Sequence, residues 1–435
     1  MKGNKMSKVE NLFVNENLQE RRKLIADICK QSPMFDVIAT SVNKRRLIIQ
    51  NGHWLADFGT QSYLGFDFDE SVMNAAIQGI RQYGVVVAWC RLVATVGVFD
   101  QVEKEIAKLV GTEACSIFAS TTLLNHGVIP ALAGKDGIIF LDKSAHATMY
   151  EGAKIARDSG ATLVTFPQDD FEELEKLLQQ YQHVTKKLIL TDGVYSMTGE
   201  YANLPEFDRL ARQYNALVFV DDAHGFGVVG ENPSKEVPYG YKGNGLIRYF
   251  GLNFDNMVYV GCFSKAYGSF GSFIACSQKL RDFLLSQATP HDLGGVGPAA
   301  TMSAVAQGLK INQEHGQAIR LRISQLTQKT VQSLKKLGYQ IHNTSGFPII
   351  SVWLGSSEHI IEVSQILYDN HVLLTLAPYP MVRKGEESLR ITVTASNTEE
   401  EINQLVDAFI VLKPFLQKKG YLFQEKKEAQ KYKTF

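Results

Sequence analysis

A sheet covered on both faces, followed by a smaller α+β lobe, is the α/β architecture this sequence predicts, and three observations carry it. Between about residues 75 and 315, short β-rich apolar runs at 115–118, 137–141, 162–166, 187–191, 216–220, 257–260 and 272–276 alternate with helix-length segments. Continuous apolar strands separated by helices form a mostly parallel sheet, here of seven strands, buried on both sides. Beyond about residue 316 the rhythm changes to amphipathic helices and isolated strands, the pattern of a separate lobe. Finally, Asp221 and His224 follow the 216–220 run and Lys265 follows 257–260. In open α/β sheets the carboxyl ends of strands are where ligands bind.

Taken in order, residues 1–74 read as an N-terminal arm, charged over 18–50 and with a short strand and turn at 54–59, of the kind that packs on a partner subunit. The large domain then spans 75–315. The lobe, 316–435, comprises a helix over 322–338, a strand at 348–353, a helix over 358–370, a strand at 389–394 and a last helix from Glu399. Its tail, from Lys418 onward, is charged and is expected to fray.

Composition narrows the function. Lys+Arg and Asp+Glu both number 45, so no bulk charge draws the chain to nucleic acid or to an anionic membrane. Five scattered cysteines without CxxC spacing indicate a reducing compartment rather than a disulfide frame or zinc site. No apolar run approaches the roughly 20 residues of a membrane span, and no signal-peptide core follows the polar start. The expected location is cytoplasmic.

A lysine and an aspartate at neighbouring strand ends suit pyridoxal phosphate (PLP). The amine can bond to the cofactor aldehyde, and the carboxylate can keep the pyridine nitrogen protonated so that the ring accepts electrons. Small residues around Lys265, in Gly261-Cys262-Phe263-Ser264-Lys265-Ala266-Tyr267-Gly268, permit close approach of a cofactor, and hydroxyls there can bind phosphate. Alone, such a lysine reads as a surface charge. Asp221, Asp222 and His224 could instead hold a metal, but that reading leaves Lys265 unexplained and finds no third His or Cys at suitable spacing.

Over roughly residues 50–410 the chain resembles the α-oxoamine synthase family of fold-type I PLP enzymes. Asp221-Asp222-Ala223-His224-Gly225 matches the family's Asp-x-Ala-His-Gly, which implies Asp221 on the pyridine nitrogen and His224 near the phenolic oxygen. Lys265 matches the cofactor-linking lysine, and Asp142-Lys143-Ser144-Ala145-His146 a motif whose histidine stacks on the cofactor ring. Asp192-Gly193-Val194-Tyr195-Ser196 places Ser196 beside the cofactor, and Leu389-Arg390-Ile391 makes Arg390 the fork for a substrate carboxylate.

The resemblance implies a homodimeric, PLP-dependent C-acyltransferase. It would join glycine, alanine or serine to an acyl thioester, carried on coenzyme A or an acyl carrier protein, losing CO2 to give an α-aminoketone. The rivals are aminotransfer or another PLP lyase reaction, and a non-catalytic partner subunit of a heteromeric synthase.

Several segments depart from the family pattern. Its glycine-rich Tyr-Gly-x-Gly-x-x-Gly-x-Arg reads Tyr83-Gly84-Val85-Val86-Val87-Ala88-Trp89-Cys90-Arg91, leaving Arg91 as a candidate substrate ligand beside a reshaped acyl-donor channel or a rebuilt core segment. The phosphate loop reads Ser120-Thr121-Thr122-Leu123-Leu124-Asn125, so the backbone and hydroxyls of Thr121 and Thr122 are the expected phosphate ligands. Cys262 replaces a threonine three before the lysine, with Ser264 also beside the cofactor, and Gln61 replaces the asparagine of the substrate loop. The loop that usually crosses the dimer interface reads 292–298 without Ser or Thr.

Overall fold

The computed structural model describes residues 16–421, apart from 51 and 296; the tail expected to fray lies outside them beyond 421. The arm contributes strands β1 (Ala39–Asn43), β2 (Arg46–Ile49) and β3 (Trp54–Asp57). The large sheet comprises β4 (Ala114–Phe118), β5 (Ile138–Asp142), β6 (Thr162–Phe166), β7 (Lys187–Asp192), β8 (Leu217–Asp221), β9 (Met257–Cys262) and β10 (Ser272–Cys276). Their spatial order is β4-β10-β9-β8-β7-β5-β6. Only β10 runs antiparallel to its neighbours; the remaining pairs are parallel.

Period-two alternation explains why these strands look continuously apolar. Val218 and Val220 of β8 enter one core with Ile189, Phe140 and Tyr259, while Phe219 between them enters the other with Leu188, Leu190 and Val258. A strand that buries both faces needs apolar residues at every position.

Helix Ala299–Lys336 is 38 residues long and passes without a break through the 315/316 position where the lobe was expected to begin. It packs along helix Glu70–Tyr83. At Gly79 of that partner a Cβ would stand 3.0 Å from the Ala300 Cα, so the two backbones approach closely only because the residue is glycine.

The C-terminal lobe holds β11 (Ile341–His342), β12 (Ile349–Trp353), β13 (Val372–Leu373), β14 (Thr375–Ala377) and β15 (Ser388–Thr392). β11, β12, β15 and β14 form an antiparallel sheet, while β13 leaves to pair in parallel with β3 of the arm. Ile28, Met34, Ala56 and Phe58 share one core with Ile350, Val352, Leu389, Ile391 and Phe409. The described part of the arm is therefore built into the C-terminal lobe of its own chain. The last helix, Glu399–Lys418, starts with a complete capping box between Thr398 and Glu401.

Candidate active site

Three adjacent parallel strands each end in an aspartate: Asp142 on β5, Asp192 on β7 and Asp221 on β8. The register pairs Asp192 with Asp221, and β9 alongside ends at Cys262, three residues before Lys265. The carboxyl edge of the sheet thus brings the predicted aspartate and lysine to neighbouring positions.

These carboxylates do different things. Asp142 accepts from the Tyr195 hydroxyl at 2.5 Å and from the Ser144 amide at 2.8 Å. Asp192 accepts the His146 amide at 3.0 Å. Together they hold the 143–147 loop over the strand ends, which fixes where His146 stands. Burial raises both acids above the usual carboxylate range, Asp192 with the added push of the Asp221 charge. Asp221 accepts from Asn125 Nδ2 at 3.1 Å and from the Ala223 amide at 3.2 Å. Both donors fix the orientation of the carboxylate at the strand end.

Asn125 extends the network. Its Nδ2 also donates to Thr148 Oγ1 at 2.9 Å, and that hydroxyl lies 2.8 Å from His146 Nδ1. His146 Nδ1 accepts the Thr148 amide as well, so this nitrogen carries no proton and neutral His146 is protonated on Nε2. His146 is accessible, but its place in the cleft lowers its pKa through partial desolvation, opposed by the Asp221 charge and reinforced by Lys265.

His224 is buried, and its pKa falls well below the usual histidine value through desolvation, then through the charges of Lys265, Arg390 and His146. Arg390, on β15, is 4% exposed, and its Nε and Nη2 are without a hydrogen-bond partner among the described residues. Tyr63 joins the two regions: its hydroxyl lies 2.8 Å from His224 Nδ1, and the nearby Arg390 opposes the burial that raises the phenol pKa.

The Tyr63 loop is tied down from both sides. Leu64 donates its amide to the Ala266 carbonyl beside Lys265, and Ala395 of the lobe donates to the Tyr63 carbonyl. Below it, buried Arg45 pairs with Asp67, and Ser62 donates to that carboxylate at 2.7 Å. Gln61 is half-buried in the same loop.

Thr121 and Thr122 open helix Thr121–Ala133, whose cap is Ser120 accepting from the Leu123 amide at 3.2 Å. A helix N-terminus on the β4 exit is an anion-binding position. Ser196 is half-buried in the turn after β7. Cys262 is 1% exposed and donates to the Ala223 carbonyl at 3.3 Å; it receives the exposed Ser264 hydroxyl at 3.4 Å. Its thiol therefore braces the Asp221–His224 turn.

Arg91 lies apart in function. Its guanidinium donates to Glu103 at 2.6 Å and to the Ile117 carbonyl at 3.2 Å, with both side chains of the ion pair 6% exposed. It pins the 84–93 segment to β4. The roles of Tyr63, Asn125 and Asp192 were not drawn from the sequence. Tyr63 and Asn125 sat within motif segments, but nothing local shows which distant side chain each would meet.

The residues fit PLP. A lysine and a carboxylate stand at adjacent strand ends, a capped helix start offers amides and hydroxyls for a phosphate, and two buried guanidinium nitrogens lack an acceptor among the described residues.

The sequence profile of the aminotransferase class I and II family matches residues 64–409. An 8-amino-7-oxononanoate synthase of Trichlorobacter lovleyi is 34% identical over 353 residues, covering 81% of this chain and 87% of the relative. A serine palmitoyltransferase of Bacteroides ovatus is 31% identical over 361 residues, covering 82% and 88%. Among solved structures, Sphingomonas wittichii serine palmitoyltransferase aligns with a TM-score of 0.84 at 25% identity, over 94% of this chain and 99% of that one.

Proposed function

Since the chain belongs to the aminotransferase class I and II family, and within it to the α-oxoamine synthases, we propose that it is a PLP-dependent C-acyltransferase joining a small amino acid to an acyl thioester. Arg390 is the observation that carries this reading: a buried guanidinium with unpartnered nitrogens, placed by the lobe opposite the strand ends that carry Lys265 and Asp221. Such a group fits the carboxylate of an amino acid, accepted through two parallel hydrogen bonds.

Lys265, Asp221, His224, His146, Ser196 and the start of helix Thr121–Ala133 are the residues to hold the cofactor. When bound, PLP supplies a ring that accepts the electron pair left at the amino-acid Cα. Asp221, oriented by Asn125 and the Ala223 amide, would hold a proton at the ring nitrogen. Arg390 fixes the substrate carboxylate, and through it the direction of the Cα–H bond toward the Lys265 amine, which removes the proton. The Cα carbon would then bond to the thioester carbonyl carbon as the C–S bond breaks and the thiolate leaves, taking a proton from solvent; loss of the original carboxylate as CO2 would leave its electron pair at Cα, to which the Lys265 ammonium returns its proton, giving an α-aminoketone.

Glycine, alanine and serine are the candidate amino acids, and the acyl group rides on coenzyme A or an acyl carrier protein. A homodimer is supported by the apolar side chains Val85, Val86, Leu92, Val93 and Leu293, which one chain leaves exposed. No described helix is long and apolar enough to cross a membrane, and the five cysteines are free; both agree with a cytoplasmic location. Asp221 with the lysine, both histidines and a waiting arginine around it argue against a non-catalytic subunit.

The test is an absorbance spectrum of the purified protein with PLP, titrated with glycine, L-alanine and L-serine, followed by mass analysis of the product and of released CO2 after adding an acyl thioester. A visible band perturbed by one amino acid, with CO2 and an aminoketone formed, supports the reading. No band, or a product that is an oxoacid, overturns it.

A further inference from the structure

We propose that Asn125 is a positioning residue on which two groups of the cleft depend at once: one of its amide hydrogens holds Asp221, and the other, through Thr148, holds His146 with Nδ1 as an acceptor. What this does for a reaction rests on the PLP reading above; the arrangement itself does not. Asn125, Thr148 and Asp221 are 0%, 8% and 5% exposed. They come from helix Thr121–Ala133, helix Ala147–Asp158 and the end of β8.

The directions follow from counting hydrogens. Asn125 Nδ2 carries two, given to Asp221 Oδ2 at 3.1 Å and to Thr148 Oγ1 at 2.9 Å. A backbone amide can only donate, and that of Thr148 meets His146 Nδ1 at 3.3 Å. Nδ1 therefore accepts, and the Thr148 hydroxyl, 2.8 Å from the same nitrogen, turns its one hydrogen toward it. Every hydrogen in this chain of bonds runs outward from Asn125, and reversing any of them sets two donors face to face.

The same imidazole caps a helix. His146 is the N-cap of helix Ala147–Asp158, its Nδ1 taking the Thr148 amide where a serine or aspartate oxygen ordinarily stands. A proton on Nδ1 would break that cap and place a cation at the helix N-terminus, where the macrodipole opposes it. The groups facing the ring are Asp221 from β8, Lys265 from the loop after β9, His224 from the turn after β8, Glu151 on its own helix, and Asp192 at the end of β7, whose Oδ1 accepts the His146 amide. Three of these are acids, so the surrounding charges do not by themselves keep the ring neutral; the engaged lone pair and partial burial do.

Close approach of the two helices makes the junction possible. Thr148 and Gly152 are one turn apart on the same helix face. A Cβ on Gly152 would stand 2.4 Å from the Asn125 carbonyl oxygen and 3.0 Å from its carbon. Glycine is therefore what lets Thr148 reach the Asn125 amide.

Proton–nitrogen correlation spectra of the full chain, labelled with nitrogen-15 in histidine, test this as pH is lowered, with and without PLP. His146 is assigned by its loss in His146→Asn. Wild-type protein is expected to show an accepting Nδ1 and a protonated Nε2. Thr148→Val keeps the amide and loses the hydroxyl, and should raise the pH midpoint of His146 by about one unit; Thr148→Ser should restore it. Asn125→Ala, which removes nothing that touches the ring, should move the midpoint in the same direction, and Gly152→Ala should do likewise. The variant carrying both Asn125→Ala and Thr148→Val should move it no further than Thr148→Val alone, because the two residues act in series.

A wild-type ring protonated on Nδ1, an unmoved midpoint in Asn125→Ala, or shifts that add in the double variant overturns the inference. A protein that gives no visible band with PLP but shows these shifts supports it while overturning the cofactor reading. A band with an unmoved His146 midpoint does the opposite, so the two failures are distinct.

Discussion

Arg91 and Arg390 are both buried, both were expected to meet substrate, and they stand in opposite electrostatic states. Arg91 is matched by Glu103, which also accepts the Ile117 amide at 2.8 Å and faces Arg281 at 3.5 Å. Arg390 has Nε and Nη2 unpartnered among the described residues. A buried charge without hydrogen bonds is costly, and native proteins satisfy the great majority of such groups. Where one is left open in a cleft with a lysine and a carboxylate, a ligand is the natural complement. The contrast separates an arginine engaged within the fold from one with unpartnered donors, the proposed ligand of a substrate carboxylate, although the two are the same residue type.

Substitutions can break or sharpen this contrast. The largest effect belongs to the centre that Arg390 faces: Lys265→Ala should cost about 10³-fold or more in turnover and abolish the visible band with PLP, while leaving the urea midpoint near wild type. Retained turnover would place the proton transfer on another group. Arg91→Met should be a stability mutant, losing about 1.5–3 kcal/mol in urea unfolding because Glu103 loses its shortest charged hydrogen bond and keeps only Arg281 and the Ile117 amide; unchanged amino-acid affinity in the folded protein is the second half of that expectation.

Arg390→Met should do the reverse. Amino-acid binding, followed by absorbance titration, should weaken by about 30- to 100-fold, the equivalent of the ~2–3 kcal/mol of a hydrogen-bonded charge, with an unfolding midpoint at or above wild type. Equal loss of stability in the two arginine variants would erase the distinction.

Asp222 supplies the smallest and finest test. It is fully buried, but its Oδ2 is met by neutral donors, the Leu246 amide at 2.8 Å and the Tyr259 hydroxyl at 2.9 Å. Burial raises its pKa to about 7. Because the folded state then binds a proton that the unfolded chain has already lost, this group's stabilisation is complete below about pH 4, declines as pH rises and is gone above about 7. Asp222→Asn should flatten that part of the stability–pH curve. A curve of the same slope in the variant would show that another acid carries it.

The strands and the Lys265–Asp221 pairing were legible in the sequence because both follow from local facts. A strand buried on two faces must be apolar throughout, and a parallel α/β sheet puts the residues just after its strands on one edge. The long helix was legible only in its second half. From Ala299 to Gly308 it buries Ala299, Ala300, Met302, Ala304, Val305, Ala306 and Gly308 on several sides, so it lacks the one-sided stripe by which a surface helix is recognised. Arg91 was read from its motif position, whereas its behaviour is set by Glu103 on the following helix.

What the sequence by itself determined is the set of reactive groups and the sheet edge on which Asp221, His224 and Lys265 gather, since strand periodicity and parallel topology leave those residues no other place. Only the tertiary structure decided which of them are free to act. Whether a buried arginine is neutralised or waiting, which donor meets Asp221, and which nitrogen of His224 faces Tyr63 all depend on side chains brought within 2.6–3.1 Å from distant parts of the chain. Electrostatic and hydrogen-bond energies depend on such separations and on burial, and neither quantity is written in local sequence.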